Sequence, residues 1–204
     1  WLGGVNYYRS LLSAIMENKD LNIEPVIFIA KGSNRSLLND YPKVTVVESK
    51  LFTRFTLYWL VRKIIYKITG KDILLERLLK SSGISVISHL EAVLPHSDIA
   101  TIAWIPDFQH CHLPELFSIE EINARNKAFF DLIKMCDTVI VSSYDAQKDF
   151  LKFSKDYKDK VEVLQFVVPV NNEILEYNAE FILKKYKIDK KFFYLPNQYW
   201  AHKN

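Results

Sequence analysis

The chain has 204 residues, 49% of them hydrophobic and 25% charged, with a formal net charge of +3. That is ordinary globular usage, enough for one sizeable core or for one domain and part of another, and so small a charge gives no ground for nucleic-acid binding. No signal peptide is visible, and no apolar run approaches the about 20 residues of a transmembrane helix. Two cysteines, Cys111 and Cys136, without CxxC spacing, read as reduced thiols of a cytosolic protein.

The chain opens on Trp1-Leu2-Gly3-Gly4 and stops at His202-Lys203-Asn204 in mid-pattern, so we expect a piece of a longer protein, cut at both ends. Tyr8, Leu11, Leu12 and Ile15 follow helical spacing. A Gly3-Gly4 turn is expected to open that helix and to let a ligand approach bare N–H groups at the positive end of its dipole; a plain tight turn explains the pair equally well. Residues 25–30 read as a strand, 33–38 as a short helix and 44–47 as a second strand. Residues 51–69 read as one helix, rich in aromatics, with Arg54, Arg62, Lys63 and Lys67 and no acidic residue. Two readings stay open there: a helix on an anionic membrane surface, or a buried helix with snorkelling basic ends.

Helix 72–80 ends at Ser82-Gly83, strand 84–88 follows, and a loop with Pro95-His96 leads to the apolar strand 99–105. After that strand come Pro106, Asp107, His110 and His112, then Ser118 with Glu121 three residues on, a capping box that opens helix 119–135. Strand 138–141 ends in Ser142-Ser143, helix 145–153 lies behind it, and strand 161–164 precedes an apolar segment, 166–170. Helix 178–186, a charged loop and strand 192–195, closed by Pro196, complete the pattern. Strands alternating with helices predict βαβ units, right-handed crossovers and a parallel sheet: an α/β chain. Pro169 to Asn172 is the candidate linker, giving domains at 1–170 and 171–204.

Polar groups at the carboxyl end of a parallel strand sit where open α/β sheets bind ligands. Asp107 and His110, three apart, are expected to face one crevice, where they would bond sugar hydroxyls or relay a proton; a capping Asp beside an exposed His is the plainer alternative. His110-Cys111-His112 cannot easily converge on one metal, because neighbouring side chains of an extended chain diverge. Ser142 and Ser143, with Asp145, suit helix capping or a ligand-facing cap, and no His stands near them in a nucleophile pattern. Walker A, GxGxxG, HExxH and EF-hand motifs are absent.

Gly3-Gly4, the stretch Asp107 to Ser118, and Pro196-Asn197-Gln198 through Lys203-Asn204 together resemble family 4 glycosyltransferases of the GT-B fold. The resemblance implies two Rossmann-like domains facing a cleft: here the acceptor-side domain, a parallel sheet with helices on both faces and lacking its first strand, followed by the start of the donor-side domain. It implies a retaining, metal-independent transfer of a hexosyl group from a nucleotide-sugar to a glycan or lipid-linked acceptor, with no cofactor beyond that donor. Asp107 and His110 would be catalytic, and Gly3, Gly4, Asn6, Ser142, Ser143, Gln198 and Lys203 would bind donor or substrate. Gln198 stands where the family usually has Arg, and Pro106 where a His often precedes the Asp. A cation such as Lys203 would stabilise the charge of a departing nucleoside diphosphate. The expected location is cytoplasmic, peripheral on the inner membrane face through residues 51–67, with the fragment inactive alone. The rival readings are a non-catalytic Rossmann-like ligand-binding module and a GT-B sugar-nucleotide epimerase.

Overall fold

The structure is a computed structural model that describes residues 2–94, 97–168 and 172–196. The chain forms two compact units, residues 1–167 and 168–204. Within the first, helix α1 (Leu2–Glu17) leads to strands β1 (Val26–Ala30) and β2 (Thr45–Ser49), a parallel two-stranded sheet. Helices α2 (Leu57–Thr69) and α3 (Ile73–Ser81) follow. Then come β3 (Val86–Leu90), β4 (Ala100–Ile105), the single turn α4 (Gln109–His112), α5 (Ile119–Met135), β5 (Thr138–Val141), α6 (Tyr144–Phe153) and β6 (Val161–Val163). Strands β3, β4, β5 and β6 pair in that order, all parallel. The expected α/β architecture, a Rossmann-like parallel sheet flanked by helices, is what forms.

Strand alternation builds the core. Ala103 and Ile105 of β4 and Val139 and Val141 of β5 point to one face, where Leu132 and Ile133 of α5 and Ala146 and Phe150 of α6 close over them. Ile105, Ile133, Val139 and Phe150 are fully buried, each stabilising the fold by about 1.5–3 kcal/mol. Trp104, one residue out of phase, turns to the other face and stacks on Tyr7 of α1 with ring centroids 4.7 Å apart. The start of the β4–β5 pair is locked by polar groups: Asp137 Oδ2 accepts from the Thr101 amide at 2.7 Å and the Thr101 hydroxyl at 2.9 Å. These bonds hold the Asp137 carboxyl below its ordinary range. The capping box at α5 is formed as predicted, with Ser118 N–H donating to Glu121 at 2.8 Å and Glu121 N–H to Ser118 at 3.2 Å.

Four expectations change. Gly3 and Gly4 are not a turn but part of the first turn of α1, in helical conformation. The expected helix over 51–69 is divided: Lys50–Phe52 forms a 3-10 turn, Phe55 adopts a left-handed backbone (φ 63), and Thr56 caps α2. The reading of that segment as buried is overturned, since α2 has no buried residue. Residues 192–195 form no strand; no described residue pairs with them, and Phe193 and Tyr194 lie exposed. The second unit contains the short helices α7 (Asn172–Glu176) and α8 (Ala179–Lys185), neither with a described buried side chain.

The carboxyl end of α5 depends on one side chain from the segment before β6. Lys160 Nζ donates to the carbonyls of Ile133, Lys134 and Cys136 at 3.2, 3.1 and 2.7 Å. These are groups the helix cannot satisfy itself. Lys160→Met keeps the stem and removes the donors, so urea unfolding should show a loss of about 1–3 kcal/mol.

Candidate functional site

Two features meet at the carboxyl ends of β3 and β4, and Trp104 belongs to both. The first is a cavity of about 230 Å³ lined by Glu91, Trp104, Pro106, Asp107, Arg125, Ala128, Phe129 and Leu132. Its α5 wall uses positions 125, 128, 129 and 132, one face of the helix by their spacing. Asp107 reaches the cavity because the chain turns there: its Oδ1 accepts from the Gln109 amide at 3.0 Å, an Asx turn that starts α4. Arg125 lies with its guanidinium 4.7 Å over the Phe117 ring and in no ion pair among the described residues. The cavity therefore joins an apolar floor to two carboxylates and one guanidinium, a mixture suited to hydroxyl-rich ligands. At about 230 Å³ it lies below the range of about 300–1,000 Å³ usual for small-molecule pockets, so a ligand held there is small.

The second feature is an aromatic cluster beneath α1. Tyr7, Tyr8, His89, Trp104 and Phe166 touch through their rings, with centroid separations of 4.7–6.1 Å. A β-bulge makes it possible: Ile87 pairs with Thr101 but Leu90 pairs with Ala103, so β3 carries one extra residue. His89 sits in that bulge with φ 61, in the left-handed region that few non-glycine residues occupy. Burial pushes the His89 imidazole down to about 4 and the Tyr7 phenol up to about 12, so both are neutral at pH 7. Tyr7 O–H then donates to His89 Nε2 at 2.6 Å, and Nδ1–H donates to Ser88 Oγ at 2.8 Å. This relay ties the second turn of α1 to the end of β3, which places Asn6 beside it on the exposed side.

The expected residues are thus only partly brought together. Asp107 is on the cavity. His110 is not: it is 1% exposed, packed edge-on against Phe129, and its Nε2–H donates to Asn126 Oδ1 at 2.9 Å. The single helical turn after Asp107 swings the ring inward, so a spacing of three did not put both groups in one crevice. Its Nδ1 is buried without a hydrogen-bond partner. Ser142 donates its hydroxyl to the Pro106 carbonyl at 2.6 Å, tying the ends of β4 and β5, and Ser143 caps α6 by accepting from Ala146 N–H at 3.0 Å. Both serines serve the backbone. Asn6 accepts from Arg9 at 3.2 Å, and Gly3 is exposed while Gly4 is buried. Gln198 and Lys203 lie outside the described residues. Among the described residues no group of three or more His, Cys, Asp or Glu could hold a metal ion, and Cys111 and Cys136 are free thiols.

Glu91, Arg125 and His89 were not singled out from the sequence. Arg125 had a readable signal, a charge ending an apolar stripe at positions 125, 128, 129 and 132; the bulge that aims His89 had none. No family model, curated protein or solved structure matches the chain.

The sign of the pH dependence at His89 follows from its lowered value. Between the ordinary 6.5 and about 4, an unfolded chain binds a proton at this histidine that the folded chain rejects. Stability should fall as pH drops through that window, and His89→Gln, which binds no proton, should flatten that part of the curve in urea melts recorded across it.

Proposed function

We infer that this chain is the acceptor-side half of a glycosyltransferase that moves a sugar from a nucleotide-sugar to a glycan or lipid-linked acceptor with retention. The observation that carries the reading is the small cavity at the carboxyl end of β4, with Asp107, Glu91 and Arg125 at its rim and Phe129 at its floor. The two carboxylates accept hydroxyl protons, the guanidinium donates to ring or hydroxyl oxygens, and the Phe129 ring offers an apolar face to sugar C–H groups. Asp107 orients the acceptor hydroxyl. As the sugar–phosphate bond breaks, that oxygen bonds to the anomeric carbon on the face the diphosphate leaves, as retention requires; its proton passes to the Asp107 carboxylate, and the nucleoside diphosphate leaves with the bonding pair. Lys203 is the residue of the sequence whose ammonium would meet that leaving charge. The resemblance of Asp107 to Ser118 and of Pro196 to Asn204 to family 4 glycosyltransferases supports the same reading, as does the parallel α/β sheet.

The burial of His110 favours a second reading, a saccharide-binding module without chemistry, because it leaves one carboxylate pair and no second proton carrier from the predicted set on the cavity. A panel of nucleotide-sugars, assayed with the full-length protein for sugar transfer and, by calorimetry, for monosaccharide binding, separates the two. Transfer supports the first; saccharide binding with no transfer supports the second. Asp107→Asn keeps an acceptor for the Gln109 amide and removes only the charge, so transfer should fall about tenfold to a thousandfold with the fold intact. Wild-type turnover in that variant removes Asp107 from the reaction.

A further inference from the structure

Helix α2 is turned inside out. Trp59, Arg62 and Ile65 face the protein; Leu57, Leu60, Val61, Ile64 and Ile68, on the opposite side of the helix by their spacing, face outward. Leu57 and Ile68 are 73% and 78% exposed, and Phe55, just before the helix, is 91% exposed on a left-handed backbone. The inward position that an aliphatic would normally take holds Arg62. Its guanidinium makes a bidentate pair with Asp72, 2.6–2.9 Å, donates to the Leu51 carbonyl at 3.3 Å and lies over the Phe52 ring. Hydrophobic burial alone would rotate the helix the other way, since this orientation leaves five aliphatic side chains exposed.

Charge identifies what the outward face meets. Residues 49–71 hold six basic side chains and no acidic one. Arg62 is taken by Asp72; Lys50, Arg54, Lys63, Lys67 and Lys71 are exposed and form no ion pair among the described residues. Lys63 and Lys67 run along one flank of the aliphatic stripe. A second copy of the chain laid on this stripe would bring lysine rows together and be repelled. A surface that is apolar inside and anionic outside matches both parts. The helix has 13 residues, about 20 Å at about 1.5 Å per residue, too short to cross a bilayer core of about 30 Å. No helix among the described residues is long and apolar enough to cross.

We propose that α2, with Phe55 at its tip, is a docking helix that lies flat in the interface of an anionic lipid membrane, aliphatic stripe down and lysines at the headgroups. This site is separate from the cavity and stands whether or not the chain transfers sugar. Co-sedimentation with vesicles tests it, comparing phosphatidylcholine alone with equal parts phosphatidylcholine and phosphatidylglycerol. Binding is expected to the mixed vesicles, to weaken with added salt, and to be absent from phosphatidylcholine alone. Lys63→Gln with Lys67→Gln should weaken it about 25-fold, about fivefold for each charge. Ile64→Ser with Ile68→Ser should weaken it at least about tenfold without lowering the melting temperature, because these side chains support no core. Leu151→Ser, half-exposed on α6, is the control that should change nothing. Equal binding to both vesicles, or wild-type binding by both double variants, overturns the proposal. So does a dimer that dissociates in Ile64→Ser with Ile68→Ser while vesicles go unbound, which would give the face to a second copy.

Discussion

Strand β4 has no free side. Its edges are hydrogen-bonded to β3 and β5, one face is sealed by α5 and α6, and the other carries Trp104 under the ring of Tyr7. Ala103 and Ile105 must be apolar and of limited size, since nothing near them can yield. A chain leaving such a strand enters a space where its backbone groups lose their ladder partners. Pro106 has no amide to satisfy, its carbonyl takes the Ser142 hydroxyl, and Asp107 supplies an acceptor for the next free amide. The polar groups beyond Ile105 are thus first a solution to a backbone problem. That they also rim a cavity is a consequence of where β4 stops.

That double duty explains what the sequence discloses. Apolar runs bounded by Pro or Ser located β4 and β5, and the Ser118–Glu121 pair located the start of α5 to the residue, because each rests on local chemistry. Asp107 was legible for the same reason. His110 was misplaced because its direction depends on a single turn of helix whose existence is fixed by packing against α5. His89 was invisible: a bulge is one residue too many relative to a neighbouring strand, and neither strand carries that count alone. Residues 192–195 have the composition of a strand, but composition cannot supply a partner edge.

The segment 51–69 was ambiguous for a deeper reason. Periodicity says which residues share a face; it does not say whether that face is the inside. The decision was made outside the helix, at Asp72, whose carboxylate selects the Arg62 side as inner. The cavity and the aromatic cluster show a related division of labour. Neutral rings and a neutral imidazole fix the position of α1, while Glu91, Asp107 and Arg125 collect at the neighbouring cavity, where water and a ligand compete for them.

The fork between Arg62 and Asp72 also sets how the first unit comes apart. A helix held by oil must expose oil to leave, and its departure then belongs to global melting. One held by a fork and a carbonyl exposes polar atoms that water receives readily, so its opening is cheap. Amides of α2 should thus trade hydrogen with solvent long before those of β4, and a protease would find its first cut there rather than in the sheet.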